Sequence, residues 1–135
     1  MKKICLTLVA LAVAATANLK PAQALPPFKK QFQQKYVDDG SDALKDAFKK
    51  ASCNACHVKG EEKDVQNAYG EALAKYIEGD AKDRIEEAKK NGTDDAEKEK
   101  VAKELEEAFK KVEEMKSPSG ETYGERLKAG KLPIE

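Results

Sequence analysis

The chain has 135 residues, with 25 Lys and Arg balanced by 25 Asp and Glu; 37% of residues are charged and 40% hydrophobic. That length holds one domain at most. Zero net charge argues against a general nucleic-acid binder, which needs a basic surplus, and no apolar run approaches the ~20 residues of a transmembrane helix.

Met1-Lys2-Lys3 is a positive start, residues 4–17 are apolar and uncharged, and Ala22-Gln23-Ala24 has the small-x-small form of a cleavage site. Residues 1–24 therefore read as a secretory signal peptide, which predicts a periplasmic or otherwise exported product. Cys5 lies at the start of the apolar stretch, not at its end where a lipoprotein acylation site would be, and leaves with the signal. An uncleaved interfacial helix and cleavage after Ala17 are the alternatives; fourteen apolar residues are too few to span a bilayer. The remaining 111 residues carry 22 basic and 25 acidic side chains, and only 18 are Leu, Ile, Val or Phe. That fraction is below the roughly 20% under which a highly charged chain is suspected of disorder. The low net charge opposes full disorder, so a folded chain is expected in which something added supplies core material.

Residues 25–40 form an N-terminal arm or short helix, started by Pro26-Pro27, with Phe28, Phe32 and Tyr36 as a packing stripe. Asp38-Asp39-Gly40-Ser41 is a turn, and Ser41 caps a helix whose apolar positions are Leu44, Ala47, Phe48 and Ala51. That helix is expected to run into Cys53-Asn54-Ala55-Cys56-His57. After a polar break at 60–64, Val65, Ala68, Tyr69, Leu73, Tyr76 and Ile77 give a third helical period, ended by Gly79.

Residues 80–116 hold 13 acids and 10 bases, split at Asn91-Gly92-Thr93 with Thr93 as the expected N-cap of the longer half. Glu99 with Lys103, Glu106 with Lys110 and Glu107 with Lys111 are i, i+4 pairs on a solvated face. The opposite side is Val101, Leu105, Ala108, Phe109, Val112 and Met115. Ser117-Pro118-Ser119-Gly120 breaks this helix. Residues 121–129 make a last one, with Tyr123 and Leu127 on one side and Gly130 and Pro133 as its stop. Tyr69-Gly70-Glu71 recurs as Tyr123-Gly124-Glu125, a match too short to establish a repeat. No segment alternates with period two, so strands are not expected and the fold class is all-α.

Cys53-x-x-Cys56-His57 carries the chemistry. On a helix, positions i, i+3 and i+4 share a face, so two thiols and an imidazole can address one flat object together. The sulfurs can bond to haem vinyl groups while His57 binds the iron, which is the attachment signature of c-type haem in an exported chain. Three readings compete. A structural zinc site normally needs four Cys or His ligands, and three remain after signal removal. A thioredoxin-like pair belongs at a helix start in an α/β fold, and here it ends a helix. A structural disulfide over two intervening residues constrains little chain and leaves His57 without a role.

Residues 41–57, Ser-Asp-Ala-Leu-Lys-Asp-Ala-Phe-Lys-Lys-Ala-Ser-Cys-Asn-Ala-Cys-His, resemble the N-terminal helix and haem-attachment site of small bacterial monohaem c-type cytochromes of the class I kind. The resemblance covers well under half of the exported chain. It implies Cys53 and Cys56 as thioether positions, His57 as proximal iron ligand, and one covalent haem c wrapped by an all-α domain spanning 41–135. The implied role is one-electron transfer with redox partner proteins, not enzymatic turnover. The chain departs from the family in having no proline between His57 and Pro118, so another backbone carbonyl has to orient the histidine ring. Its region 80–116 is longer and more helical than the family's middle section, and no familiar Met-containing loop announces the distal ligand.

Met115 is the only methionine after signal removal and lies ahead of the last helix, as the distal methionine does in the family. It also continues the stripe Val101, Leu105, Ala108 and Val112, as an ordinary core residue would. Both readings stand at the sequence level. With Met115 on the iron the chain is an electron carrier; with an open position it is a five-coordinate haem sensor or gas-binding module. A haem peroxidase would lack a distal histidine here.

Overall fold

The computed structural model describes residues 27–62 and 64–134; the expected signal peptide, residues 1–24, lies outside the described residues. Among the described residues the architecture is all-α, with no strand and only two isolated antiparallel bridges, His57 with Gln66 and Lys116 with Thr122. Helix α1, Pro27–Phe32, starts on a proline whose missing N–H has no partner to lose there. It widens into a π-helical turn, Gln33–Val37, in which Asp38 N–H reaches back to the Gln33 carbonyl at 2.9 Å. Phe32 and Val37 are buried and Tyr36 is half-buried, so the aromatic stripe faces inward as expected.

Helix α2, Asp42–Ala51, is capped as expected by Ser41, whose Oγ accepts the Leu44 N–H at 3.2 Å. It does not run on into the cysteines. Ser52 takes a left-handed conformation, φ 50°, while its N–H still donates to the Phe48 carbonyl. Serine holds helical backbone weakly, and beyond it the chain tightens into a 3₁₀ turn, Ser52–Ala55.

Helix α3 occupies Ala68–Ala74, not the longer span predicted from Val65. Asn67 sets its start by accepting the Gly70 N–H at 3.0 Å, while Val65 is held outside the helix, its carbonyl accepting the Val58 N–H at 3.1 Å. Gly79, φ 60°, reverses the chain before α4, Ala81–Lys90, which Asp80 caps through the Lys82 and Asp83 N–H groups at 2.8 and 3.0 Å.

Helix α5, Asp94–Glu113, packs with α4 as a hairpin. Thr93 precedes it without capping it; its hydroxyl donates instead to the Ala88 carbonyl at 3.3 Å. Arg84 ties the hairpin together, pairing with Glu97 at 2.6 Å and Glu104 at 2.9 Å and donating to the Glu78 carbonyl at 2.6 Å. The expected Glu99 to Lys103 pair forms at 2.9 Å. Lys110 turns to Glu107 instead, at 2.7 Å, and Lys111 lies over the Tyr76 ring, 4.8 Å from its centroid.

Helix α6, Tyr123–Lys128, starts later than predicted because Thr122 and Glu125 form a capping box. Arg126 then holds the C-terminal segment through the Leu132 and Ile134 carbonyls at 3.3 and 2.7 Å.

Helix α5 is the axis of the core: Val101, Leu105, Ala108, Phe109 and Val112 are all 0% exposed. Around it Phe32 meets Phe48, Tyr36, Tyr69 and Phe109, with ring centroids 5.1 to 6.1 Å apart. Aromatic rings bury roughly 150–250 Å² each, so they and the alanines compensate for scarce aliphatics. Side chains from α1, α2, α3, α5 and α6 form the core, and Cys56 and Met115 pack against it.

Candidate functional site

The CxxCH turn starts where α2 stops. The N–H groups of Cys56 and His57 both donate to the Cys53 carbonyl, at 3.2 Å each. The 3₁₀ turn covers Ser52–Ala55 and Cys56 follows it as its C-cap, with φ −122°. Both are free thiols, Cys53 exposed and Cys56 half-buried against the core.

Asn67 holds the turn from across the 58–66 loop. Its Nδ2 donates to the carbonyls of Asn54 and Ala55 at 3.2 Å each, and its backbone N–H donates to the Cys56 carbonyl at 3.0 Å. One residue thus caps α3 and fixes three successive carbonyls of the CxxCH motif, two through its side chain and one through its backbone N–H. Gly70 completes the fit: a Cβ there would stand 2.2 Å from the Cys56 carbonyl oxygen. Neither residue is singled out by the sequence reading. Their signal is an Asn three residues before a mid-helix Gly, which marks a cap and a close backbone approach.

His57 lies beside Gln66 in the small bridge. Its Nδ1 is buried with no hydrogen-bond partner, so the backbone carbonyl expected to orient the ring is not in place. Val58 and Val65, 37% and 40% exposed, are held together next to it by the Val58 N–H to Val65 carbonyl bond. Two exposed valines thus follow and face the His57 backbone segment.

Burial, and secondarily Cys53, pushes the Cys56 thiol up to about 12, which keeps it protonated at neutral pH. A redox-active pair instead requires a stabilised thiolate, commonly at a helix N-terminus; this pair follows the C-terminus of α2. No group of three or more His, Cys, Asp or Glu among the described residues is placed to hold a metal ion. Cys53, Cys56 and His57 are therefore not gathered as ligands of one ion, as a zinc site requires. Among the described residues the donor set of two thiols, one imidazole and one thioether suits haem c.

The Tyr69 phenol lies near Cys56 and couples to it electrostatically. The Tyr69 hydroxyl is buried without a hydrogen-bond partner; Tyr36 couples to it electrostatically but lies outside bonding geometry. Tyr36 itself donates to Glu113 at 2.5 Å. Desolvation first, then these neighbours, raises both phenols well above the usual tyrosine value.

Met115 follows the end of α5 and is partly buried against the core cluster that also receives Cys56. Its carbonyl accepts the Tyr123 N–H at 3.0 Å, and the Tyr123 ring meets that of Tyr69 at 5.0 Å. The structure thus gathers Cys53, Cys56 and His57 in one turn and borders a single core with that turn and Met115. No protein-family model, curated protein or solved structure matches the chain.

Proposed function

We propose that the chain is an exported, periplasmic monohaem c-type cytochrome that carries single electrons between redox partner proteins, with an all-α domain wrapped around one covalently bound haem c. The observation that supports this reading is the clasped turn, in which Asn67 holds the carbonyls of Asn54, Ala55 and Cys56 and two unpaired cysteines are followed directly by a histidine. When bound, the haem supplies a one-electron iron couple.

The chain's residues divide the remaining work. Cys53 and Cys56 would hold the group as thioethers, each thiol adding across a vinyl group with its hydrogen going to the neighbouring carbon and no net oxidation. His57, whose Nδ1 is buried without a partner, would hold the iron. Val58 and Val65 supply apolar surface of the kind a porphyrin covers. Met115 would be the second residue to hold the iron in this reading, and its thioether would raise the potential relative to a second imidazole.

Optical spectra of the exported protein, oxidised and reduced, test the proposal. A c-type haem spectrum that persists after acid-solvent extraction supports covalent attachment, and a colourless polypeptide would remove the reading. Rapid carbon monoxide binding by the reduced protein would replace the electron carrier with a five-coordinate sensor.

A further inference from the structure

The short Tyr-Gly-Glu match acquires a meaning once the fold is known. Tyr69-Gly70-Glu71 lies in α3 and Tyr123-Gly124-Glu125 begins α6. Each glycine lets its helix press on the backbone of a segment bearing one of the two candidate iron ligands. A Cβ on Gly70 would meet the Cys56 carbonyl oxygen at 2.2 Å, next to His57; one on Gly124 would meet the Glu113 carbonyl oxygen at 3.0 Å, two residues before Met115. Each helix start also receives that segment through a backbone hydrogen bond at 3.0 Å, Asn67 N–H to the Cys56 carbonyl and Tyr123 N–H to the Met115 carbonyl. The two tyrosines, 1% and 2% exposed, meet edge to face at 5.0 Å.

Resting on the haem reading above, we propose that the two Tyr-Gly-Glu elements are matched positioning devices, joined at the Tyr69 and Tyr123 rings, that set the distance between the His57 turn and Met115 for axial ligation of one iron. None of these residues touches the iron; they act through the segments they press on. Gly70 acts on the proximal side, Gly124 on the distal side, and the ring pair fixes one relative to the other. A packed ring pair suits this task, because close-packed interiors transmit displacement instead of absorbing it.

The test uses the intact exported protein with Gly124→Ala, Tyr123→Ala and Tyr123→Phe, read by intact mass and by the far-red sulfur-to-iron band of oxidised methionine-ligated haem. Gly124→Ala and Tyr123→Ala are expected to retain one haem per chain by mass. Their methionine-ligated fraction should fall by roughly tenfold or more, the size usual when the support of a metal ligand is removed. Tyr123→Phe keeps the ring contact and should keep the band. Should Gly124→Ala prevent folding, Tyr123→Ala against Tyr123→Phe decides alone. A full band in folded Tyr123→Ala, or wild-type protein that carries haem but shows no band, would overturn the positioning role while leaving the haem reading intact. Wild-type protein without haem would remove both.

Discussion

The backbone N–H of Asn67 donates to the Cys56 carbonyl at 3.0 Å, so the residue that starts α3 also holds the end of the CxxCH turn. The same asparagine donates its side-chain amide to Asn54 and Ala55 and accepts the Gly70 N–H. The turn is consequently shaped by contacts within the chain, through one residue that bonds to both of its flanks.

Asn67→Ala removes the cap and both amide donors, leaving two carbonyls to find other partners. A loss of about 1–3 kcal/mol is expected. Asn67→Asp keeps the cap acceptor but not the donors and should fall between. Urea denaturation midpoints of the three proteins check the order, and equal midpoints would show that the clasp contributes nothing.

Side chains of α1, α2, α3, α5 and α6 pack around Phe109, and if that packing suffices for folding, the proposed haem attachment is not required for it. Cys53→Ala combined with Cys56→Ala is expected to keep the helical circular dichroism of the wild type. Phe109→Ala, which empties a fully buried site on α5, should cost about 3–5 kcal/mol. A double cysteine variant that lost its helices would show that the porphyrin, not Phe109 and its neighbours, closes the core.

Alkaline pH should distinguish haem-free from haem-bound protein. In the haem-free chain the buried Cys56 thiol is raised from its ordinary value of 9.0 to about 12. Its contribution is complete below about pH 9 and is lost as pH rises toward about 12, by at most roughly 1.4 kcal/mol per pH unit. Cys56→Ala should delay the onset of this decline. Tyr36 and Tyr69, also raised by burial, continue it above about pH 10. A thioether-bonded Cys56 has no thiol proton, so the early part should be missing from haem-bound protein. Thermal melts across pH 7–12 measure both.

Arg84 joins α4 to α5 through Glu97 and Glu104 while also meeting the Glu78 carbonyl. Because the group is partly solvated, Arg84→Ala should cost only about 1 kcal/mol, and less at high salt. Arg84→Lys should not restore it, since an ammonium lacks the planar fork that serves two carboxylates. Chemical denaturation at low and high salt checks both statements.

The all-α class, the Ser41 cap and the buried stripe of α5 were legible in the sequence because cap chemistry and a 3.6-residue period are local signals. The clasp was not: Asn67 looks like one polar residue within a helical period until its amide is seen to reach Asn54 and Ala55 in space. The break at Ser52 was hidden for a related reason, since nothing in Ala51-Ser52-Cys53 forbids a helix and the turn across the loop decides. Counting aliphatics alone suggested a thin core, because Phe32, Tyr36, Tyr69 and Tyr123 act together only after folding joins α1, α3 and α6. Cys53, Cys56 and His57 are legible as a motif from spacing alone, and the structure adds the turn that carries them.

Intact mass spectrometry of the protein, produced in a host able to export it and attach haem, tests the central claim most directly. The account predicts a chain beginning at Leu25, lacking Cys5, and carrying the added mass of one haem, with Cys53 and Cys56 both unreactive toward thiol reagents. A chain with the mass of polypeptide alone and two reactive thiols would contradict it.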